Sequence, residues 1–401
     1  MSDGTNTAKS LAGAGTTLLA VQFLLAATWT VYVLFLPQLA ERAGIAKSAV
    51  VAILMLDQIL FALGDFAAGA LSDKVAQTFR ALGRGIAAVS VVSCAAFLLL
   101  PQTTNATLLM SLIVAWSLSS SALRAPVFAL VAKHAPQPAV PRLAAMSLFG
   151  LGVAGAIGPY LTAQLRGIDP AVPFAISSIA LALAALALSR VTAFATPDAA
   201  AVTAAVTTSP GAPPRIALLS ALALAVLAFQ VHTAIGSAPA YLRFADKTAL
   251  EQLLPVFWIG FNLGILPVGF LCKRIGEIRV FVAGALLGAA MAFLVGQAGS
   301  LQMLVAVQFF AGMAWACVAL AAFSAAIELG RTGFEGRMLG LLFGLFALAT
   351  LTRIAAVAAQ LPKDPAYAAA IANMPWLLWG AAALLLLFSR GLFQRRLAPA
   401  Q

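Results

Sequence analysis

The chain has few of the residues that catalytic and metal-binding sites need. Its 401 residues include 3 Cys and 2 His, and only 9% are charged. Cys94, Cys272 and Cys317 are odd in number and lie in or at the end of apolar runs, which argues against a disulfide framework, and no metal-ligand spacing appears. No nucleotide-binding loop and no Ser/His/Asp or Cys/His set is evident. We therefore predict a protein that is not an enzyme, has no cofactor or metal, and is not driven directly by ATP.

Hydrophobic residues, in contrast, make up 62% of the chain. The charged fraction of 9% is far below the quarter or so that is typical of a soluble domain. They form runs of roughly 20 residues, the length that crosses about 30 Å of hydrocarbon as a helix. The runs are continuous, Ala/Leu-rich and too long for the strands of a membrane barrel. We predict an all-α integral membrane protein with twelve spans at residues 15–39, 48–70, 85–100, 108–131, 143–165, 171–189, 216–241, 252–272, 280–298, 302–327, 338–360 and 375–393.

The net charge of +11 is explained by membrane orientation. With twelve spans and both ends on one side, most of the 24 Lys and Arg residues fall in the loops of that side. Such an excess marks the cytoplasmic face. We expect a multi-pass protein of the cell inner membrane with both termini cytoplasmic, and no nucleic-acid partner. The first apolar run is longer than a signal-peptide core, so we expect it to be retained.

Several landmarks recur about half the chain apart, which indicates a parallel duplication. Gly69-Ala-Leu71-Ser-Asp73-Lys74 recurs as Gly269-Phe-Leu271-Cys-Lys273-Arg274, Ala115-Trp116 as Ala314-Trp315, and Arg142 as Arg337. We predict two pseudo-symmetric six-helix bundles joined by an Ala/Thr/Pro-rich linker. The predicted parts are a cytoplasmic tail at 1–14, the first bundle at 15–190, the cytoplasmic linker at 191–214, the second bundle at 215–393 and a cytoplasmic tail at 394–401.

The loop between the second and third spans carries Gly69, Leu71, Asp73 and Lys74. It resembles the Gly-x-Leu-x-Asp-Arg/Lys signature of the major facilitator superfamily of secondary transporters, and the resemblance covers essentially the whole chain. It implies alternating access by two bundles, with Asp73 capping the start of span eleven when the cytoplasmic side is closed. A carboxylate is stabilising at the positive end of a helix dipole. The alternative is a turn that only sets topology, with its charges in water.

Other parts of the family pattern are incomplete. Ala76 and Gln77 stand where the family usually has Gly and Arg. The glycine-rich run that ends in Gly158-Pro159, in span five, is similar to the antiporter signature of the family but lacks its closing Gly-Gly. Arg124 lies where some proton-coupled members carry an Arg in span four. These residues favour transport and leave the subfamily unassigned.

The spans contain few ionisable side chains, and each costs roughly 2.5–3.5 kcal/mol in mid-bilayer. In the interiors of the spans they are Asp57 and Asp65 on span two, Arg124 on span four, His232 on span seven and Arg353 on span eleven. The resemblance implies that spans one, four, seven and ten line the cavity and that two, five, eight and eleven meet at the interface. Counted along the helices, Asp65 and Arg124 lie at one depth. We expect them to pair, either as a static structural ion pair or as a proton-linked one.

Asp57 and Arg353 also lie at matching depth, on two helices that the resemblance brings together. We predict an Asp57–Arg353 bridge that closes the periplasmic side and opens when the bundles rock. Asp57 is also the best proton-carrier candidate, because burial disfavours a charged carboxylate and loss of the Arg contact disfavours it further. The alternative is that Arg353 binds substrate and Asp57 only orients it.

The remaining candidates are polar and aromatic residues on cavity-lining or neighbouring spans. His232 could relay protons or bind a solute, or be a satisfied interior residue. Aromatics and amides suit a site that stacks against and hydrogen-bonds a small organic solute, although the same residue types also serve in helix packing. The predicted cavity walls are Gln22, Trp29, Tyr32, Gln230, Asn262, Gln308 and Trp315.

Together these features predict a monomeric secondary active transporter, surrounded by lipid, that moves a small organic solute by alternating access and couples to protons. Buried Arg residues and a His favour an organic anion such as a monocarboxylate. The Gly/Pro run and the apolar, aromatic walls favour the alternative, proton-driven efflux of an amphipathic or drug-like compound. A remote alternative is a membrane sensor that shares the fold and does not transport.

Overall fold

A computed structural model describes residues 2–75, 79–135, 139–191, 212–331 and 333–394. Nearly all of these residues are helical, and no strand occurs among them. The model has twelve helices that are long and apolar enough to cross a membrane. The predicted all-α class and the number of spans are therefore confirmed. Most of the predicted linker 191–214 and of the tail 394–401, with Ala76 and Gln77, lies outside the described residues.

We number the spans α1 to α12 in chain order. The first six are α1 Leu11–Arg42, α2 Lys47–Lys74, α3 Leu82–Gln102, α4 Ala106–His134, α5 Val140–Leu165 and α6 Ala171–Leu188. The last six are α7 Ala212–Tyr241, α8 Lys247–Ile275, α9 Glu277–Gln297, α10 Leu301–Gly330, α11 Glu335–Ala358 and α12 Pro365–Phe388. The helix that contains α1 begins at Ser2, so the residues predicted as a tail continue this helix.

By their contacts the residues form two compact units. The first unit contains Met1–Ala205 together with Gly333–Leu348, and the second contains Val206–Thr332 and Ala349–Gln401. The beginning of α11 is thus grouped with the first six spans, because its glycines pack against α2. The division at the linker that the sequence predicts would place all of α11 in the second bundle.

In the first unit, α1 packs along α5 and α6, α2 along α4, and α3 along α4 and α6. The core of this unit is an aromatic cluster of buried rings: Tyr32, Phe35, Phe97, Trp116 and Phe174. The rings of Phe97 and Phe174 stack with centroids 4.4 Å apart, and Tyr32 lies 4.6 Å from Trp116. Such pairs add to the stabilisation that their buried area already provides.

In the second unit, α10 packs against both α8 and α9, and α12 packs against α7 and α9. The α8–α10 crossing depends on glycines. A Cβ atom at Gly260 would meet the backbone carbonyl of Phe309, and one at Gly312 would meet that of Phe257. Small residues let the two backbones approach closely, which is a main source of helix association in a membrane.

Span α4 is interrupted in its second half. A helix over Ala106–Ser120 is followed by a 3-10 turn over Ser121–Leu123 and a second helix over Ala125–His134. Pro126, at the start of the second helix, has no N–H to continue the hydrogen-bond ladder. The Val127 N–H bonds to the Arg124 carbonyl instead of that of Leu123. The interruption therefore releases carbonyls that need partners from other helices.

Candidate functional site

The Asp57 carboxylate is completely buried in the first unit. Its two oxygens accept hydrogen bonds from the Tyr32 hydroxyl at 2.7 Å and the Ser117 hydroxyl at 2.9 Å. Within this unit, no cationic side chain among the described residues lies within ion-pair distance of Asp57. Asp57 is thus a buried acid held by two neutral hydroxyls beside the aromatic cluster.

Asp65 lies two helical turns farther along α2 and has a different environment. The Arg124 Nε donates to both carboxylate oxygens, at 2.7 and 3.0 Å. The Arg124 Nη atoms donate to the hydroxyls of Ser120 and Ser121, at 3.3 and 2.8 Å. The guanidinium also lies 4.4 Å from the centroid of the Phe61 ring. Asp65 and Arg124 therefore form the buried ion pair that their common depth predicts.

The helix interruption in α4 shapes this site. It places Arg124 at the junction of the two helical segments, with φ −105° and ψ −98°. Gln22, from α1, donates its amide to the released Leu123 carbonyl at 2.8 Å. Gln22 is 1% exposed and closes a backbone gap in this structure, whereas its predicted role as a cavity wall stays a prediction. A released buried carbonyl needs such a partner.

At the end of α2, Asp73 reaches the start of α11. Its two oxygens accept hydrogen bonds from the backbone N–H groups of Gly336 at 2.8 Å and Arg337 at 3.0 Å. Lys133, from the end of α4, lies 3.1 Å from Asp73 and 3.7 Å from Glu335. The cap on span eleven that the family resemblance implies is formed in this structure, whereas the gating role of Asp73 stays a prediction.

The same contact requires glycines on both helices. A Cβ at Gly69 would meet the Gly336 carbonyl, and a Cβ at Gly340 would meet the Asp65 carbonyl. These clashes leave no room for a side chain at this crossing. Lys74, in contrast, is exposed at the end of α2.

The second unit holds a neutral polar network. The His232 Nε2 and the Gln308 Oε1 are 2.9 Å apart, and the Gln308 Nε2 donates to the Ser237 hydroxyl at 3.2 Å. The Ser237 hydroxyl donates to the His232 carbonyl at 2.9 Å. His232 is 4% exposed and lies near the rings of Phe257 and Trp379.

The other predicted residues are distributed over both units. In the first unit, Trp29 is half-buried and stacks at 6.1 Å on Trp116, and Tyr32 is fully buried. Gly158 and Pro159 are half-buried in α5, and a Cβ at Gly158 would meet no atom within 4 Å. Close packing therefore does not account for Gly158.

In the second unit, Gln230 donates to the Thr350 hydroxyl at 2.9 Å. Trp315 stacks on Phe229 with ring centroids 4.3 Å apart. Asn262 is 8% exposed, and its Oδ1 has no hydrogen-bond partner among the described residues.

Arg353 is half-buried in the second unit, and its Nε has no hydrogen-bond partner in the part of the chain that the structure describes. Asp57 belongs to the first unit. The Asp57–Arg353 bridge would join the two units, and it stays a prediction.

Four contributors to the site were not predicted from the sequence: the Ser117 hydroxyl, which donates to Asp57, the Ser120 and Ser121 hydroxyls, which accept from Arg124, and Lys133. The serines do leave a signal, because they lie between Trp116 and Arg124 on a span whose arginine needs polar partners. The close crossing of α11 with α2 also leaves a signal, which is the spacing of Gly336, Gly340 and Gly344, one glycine every fourth residue. Such a row lies along one helix face and predicts a close crossing.

Solved structures with this fold include several transporters. The human organic anion transporter MFSD10 (TETRAN) is 17% identical with a TM-score of 0.67, over 96% of this chain and 99% of that one. The transporter FucP, in an outward conformation, is 15% identical with a TM-score of 0.67, over 94% and 99%. A bacterial homologue of the iron transporter ferroportin is 12% identical with a TM-score of 0.69, over 93% and 98%. At these identities the likeness shows the fold alone. No curated protein matches in sequence.

The family itself is shown by sequence. The family model described as Major Facilitator Superfamily matches residues 18–351, most of the chain. This match includes the loop with Gly69 and Asp73, both α4 segments and the start of α11. The twelve spans, the buried polar groups and this match lead to one conclusion: the chain belongs to the major facilitator superfamily and is a membrane transporter, not an enzyme.

Proposed function

We propose that this transporter works by alternating access, couples to protons and moves a small organic anion such as a monocarboxylate. Asp57 is the proton carrier in this proposal, and Arg124 provides positive charge for the solute. The proposal places the protein in the cell inner membrane as a monomer, with both termini in the cytoplasm, in keeping with the distribution of its basic residues.

The observation that carries the proposal is the contrast between two acids on α2. Asp65 is paired with Arg124, whereas Asp57 is buried with only two hydroxyl donors in its unit. A buried carboxylate without a cation is costly in its charged form. Hydroxyls can turn from donor to acceptor when the acid gains a proton. The Asp57 side chain can therefore have a hydrogen-bond partner in both its charged and its neutral form.

The anion preference is supported by Arg124. Its bonds to Asp65, Ser120 and Ser121 leave two of the five guanidinium N–H groups without a partner among the described residues. The side chain is 15% exposed, so a solute carboxylate could reach these donors. A planar guanidinium is well suited to bind a carboxylate. The organic anion transporter among the structures with this fold is in keeping with this class.

The gates follow from the same residues. The predicted periplasmic gate is the Asp57–Arg353 bridge, and the predicted cytoplasmic gate is the Asp73 cap on α11. Exchange of the charges, Asp57→Arg with Arg353→Asp, should restore the solute exchange without a proton gradient that each single variant loses. Loss of transport in the double variant as well would count against the bridge and favour a role of Arg353 in solute binding.

The second candidate function is proton-driven efflux of an amphipathic compound. It is favoured by the half-buried Trp29 beside the aromatic cluster, which could stack against an apolar solute, and by the Gly158-Pro159 run.

Reconstitution into liposomes with an imposed pH gradient tests the proposal. Labelled organic acids and fluorescent dyes are supplied to the purified protein. We expect an acid to accumulate when the gradient drives protons inward; extrusion of a dye would instead support the second candidate. No proton-dependent flux for any compound would overturn the proposed coupling.

The carrier is identified with Asp57→Asn, which keeps one oxygen acceptor, places an amide N–H group where the second hydroxyl can accept, and cannot change its charge. We expect this variant to lose accumulation against a gradient and to keep solute exchange without one. Asp246→Asn is the matched control, because Asp246 is exposed and its side chain caps no helix. Full accumulation by Asp57→Asn would exclude Asp57 as the carrier.

A further inference from the structure

Span α7 is not a regular helix. An α-helix over Ala212–Gln230 gives way to a π-helical turn over Val231–Gly236, and a short α-helix over Ser237–Tyr241 follows. Turns of this type are rare, interrupt α-helices and kink them, and occur frequently at functional sites.

The local sequence favours this turn. In a regular α-helix the ring of Pro239 would meet the carbonyl of residue 235, and that carbonyl would lose its N–H partner. Gly236, at the end of the wide turn, lets the backbone adapt there. A Cβ at this glycine would meet only the Val231 carbonyl, at 3.5 Å, so Gly236 is not needed for close packing against another helix.

Gln308, on α10, bonds to one residue on each side of the turn. Its Oε1 contacts His232 near the beginning, and its Nε2 donates to Ser237 just beyond the end. The Ser237 hydroxyl uses its hydrogen for the His232 carbonyl, so it can only accept from Gln308. The amide orientation of Gln308 follows, and with it a hydrogen on the Nε2 of His232.

This arrangement is specific to the wide turn. Residues five apart are separated by roughly 140° around a regular α-helix, which turns about 100° per residue. In a π-helical turn the hydrogen bonds connect residues five apart, and these lie on one side. His232 and Ser237 are five residues apart, so the wide turn presents both to Gln308, whereas a regular α-helix would turn one of them away. Its two bonds are differential contacts, the kind that decides between two conformations.

We propose that the turn over Val231–Gly236 is a hinge in α7 and that Gln308 is the positioning residue that locks it. Breaking the Gln308 bonds releases the segment Ser237–Tyr241 to move relative to the rest of α7. His232 has a structural part in this lock, and its ring is held between α8 and α12 by contacts with Phe257 and Trp379. The inference needs neither the identity of the solute nor proton coupling.

Hydrogen–deuterium exchange of the full-length protein in nanodiscs tests the lock. We expect Gln308→Leu to speed exchange of the amides in 231–241 roughly fivefold, the factor for losing about one net hydrogen bond. Exchange in the preceding segment of α7 should not change. Gln302→Leu is the matched control, because Gln302 is an exposed glutamine on the same helix.

Ser237→Ala is a second, smaller change that also removes the Gln308 contact across the turn. We expect faster exchange in the same peptide, so this variant tests the lock even if Gln308→Leu does not fold. Unchanged exchange at 231–241 in a folded Gln308→Leu or Ser237→Ala protein would overturn the proposal, as would equal acceleration throughout α7 and α10. This readout uses no pH gradient, so a failure of proton coupling would leave it intact.

Discussion

The two units bury polar groups by different means. The first unit holds acids and a guanidinium inside its helices: Asp57 with two hydroxyls, and Asp65 with Arg124. The network in the second unit is neutral and consists of an imidazole, an amide and a hydroxyl around a wide helical turn. In both units, an aromatic ring stacks on a tryptophan of the duplicated Ala-Trp pair.

Under the proposed function, this difference would let the two units divide the work. Groups that change charge are costly to bury, so they need exact partners and suit a unit that handles protons or charged solutes. Neutral hydrogen bonds are weaker and can be broken and remade at less cost, which suits a moving element. We therefore expect ionic substitutions to affect the first unit most, and amide substitutions in the second unit to change motion more than stability.

The largest expected effect comes from breaking the ion pair. Arg124→Met leaves Asp65 buried without a cation, and we expect a loss of about 3–5 kcal/mol in the free energy of unfolding. Titration with a denaturing detergent in mixed micelles measures this loss. Arg331→Met is the control, because the Arg331–Glu328 pair is 41% and 46% exposed and such pairs contribute at most about 1 kcal/mol. The double variant Asp65→Leu with Arg124→Met should be more stable than Arg124→Met alone; equal or lower stability would contradict the argument.

The next effect concerns the close helix crossings at glycine, which occur in both units. Gly69→Ala and Gly260→Ala each place a methyl group against a backbone carbonyl, and we expect each to destabilise by about 1–3 kcal/mol. Gly85→Ala, on α3, meets nothing within 4 Å and should instead stabilise by about 0.5–1 kcal/mol. The same unfolding titration distinguishes them. If all three changes had the same sign, the close crossings would not depend on glycine.

A smaller effect should follow from Tyr32→Phe, which removes one of two donors to Asp57 and keeps the ring in the aromatic cluster. We expect a loss of about 0.5–1.5 kcal/mol in the free energy of unfolding, the net value of one hydrogen bond, in the same detergent titration. Ser117→Ala should be similar, and the two changes together should cost more than their sum, because the acid would then have no donor in its unit. Strict additivity in this double-mutant cycle would show that the hydroxyls act on Asp57 independently.

The smallest effect compares two helix caps. Asp73→Asn keeps one of the two acceptor oxygens at the start of α11 but removes the charge, and we expect a loss of about 0.3–1 kcal/mol in the free energy of unfolding from the helix dipole. The lost pairing with Lys133 adds less than the loss of Arg124 from Asp65, because Lys133 keeps Glu335 at 3.7 Å. Asp364→Asn at the start of α12 should be nearly neutral, because Asp364 is exposed and accepts from Ala366 alone. Thermal unfolding in detergent detects the difference. Equal shifts in unfolding temperature for both variants would show that the Asp73 cap contributes no more than the exposed Asp364 cap.

Much of the fold could be predicted from the sequence because a membrane imposes a simple requirement. A span needs about 20 apolar residues, and this length is read directly from the chain. The Asp65–Arg124 pair could also be anticipated, since both residues are costly in the bilayer and lie at one depth. The partners of Asp57 could not, because the same α-helical pattern permits many rotations of α1 and α4 about their axes.

The amino-acid sequence by itself determined the class of protein, the number of spans, the duplicated landmarks and the set of charged residues that need partners. Only the tertiary structure decided that Gln22 closes a gap in α4, that Lys133 joins Asp73 and Glu335, and that Gln308 spans the wide turn of α7. The reason is that hydrophobic length is a local property, whereas a hydrogen bond between helices depends on rotation, depth and backbone irregularity of both partners at once.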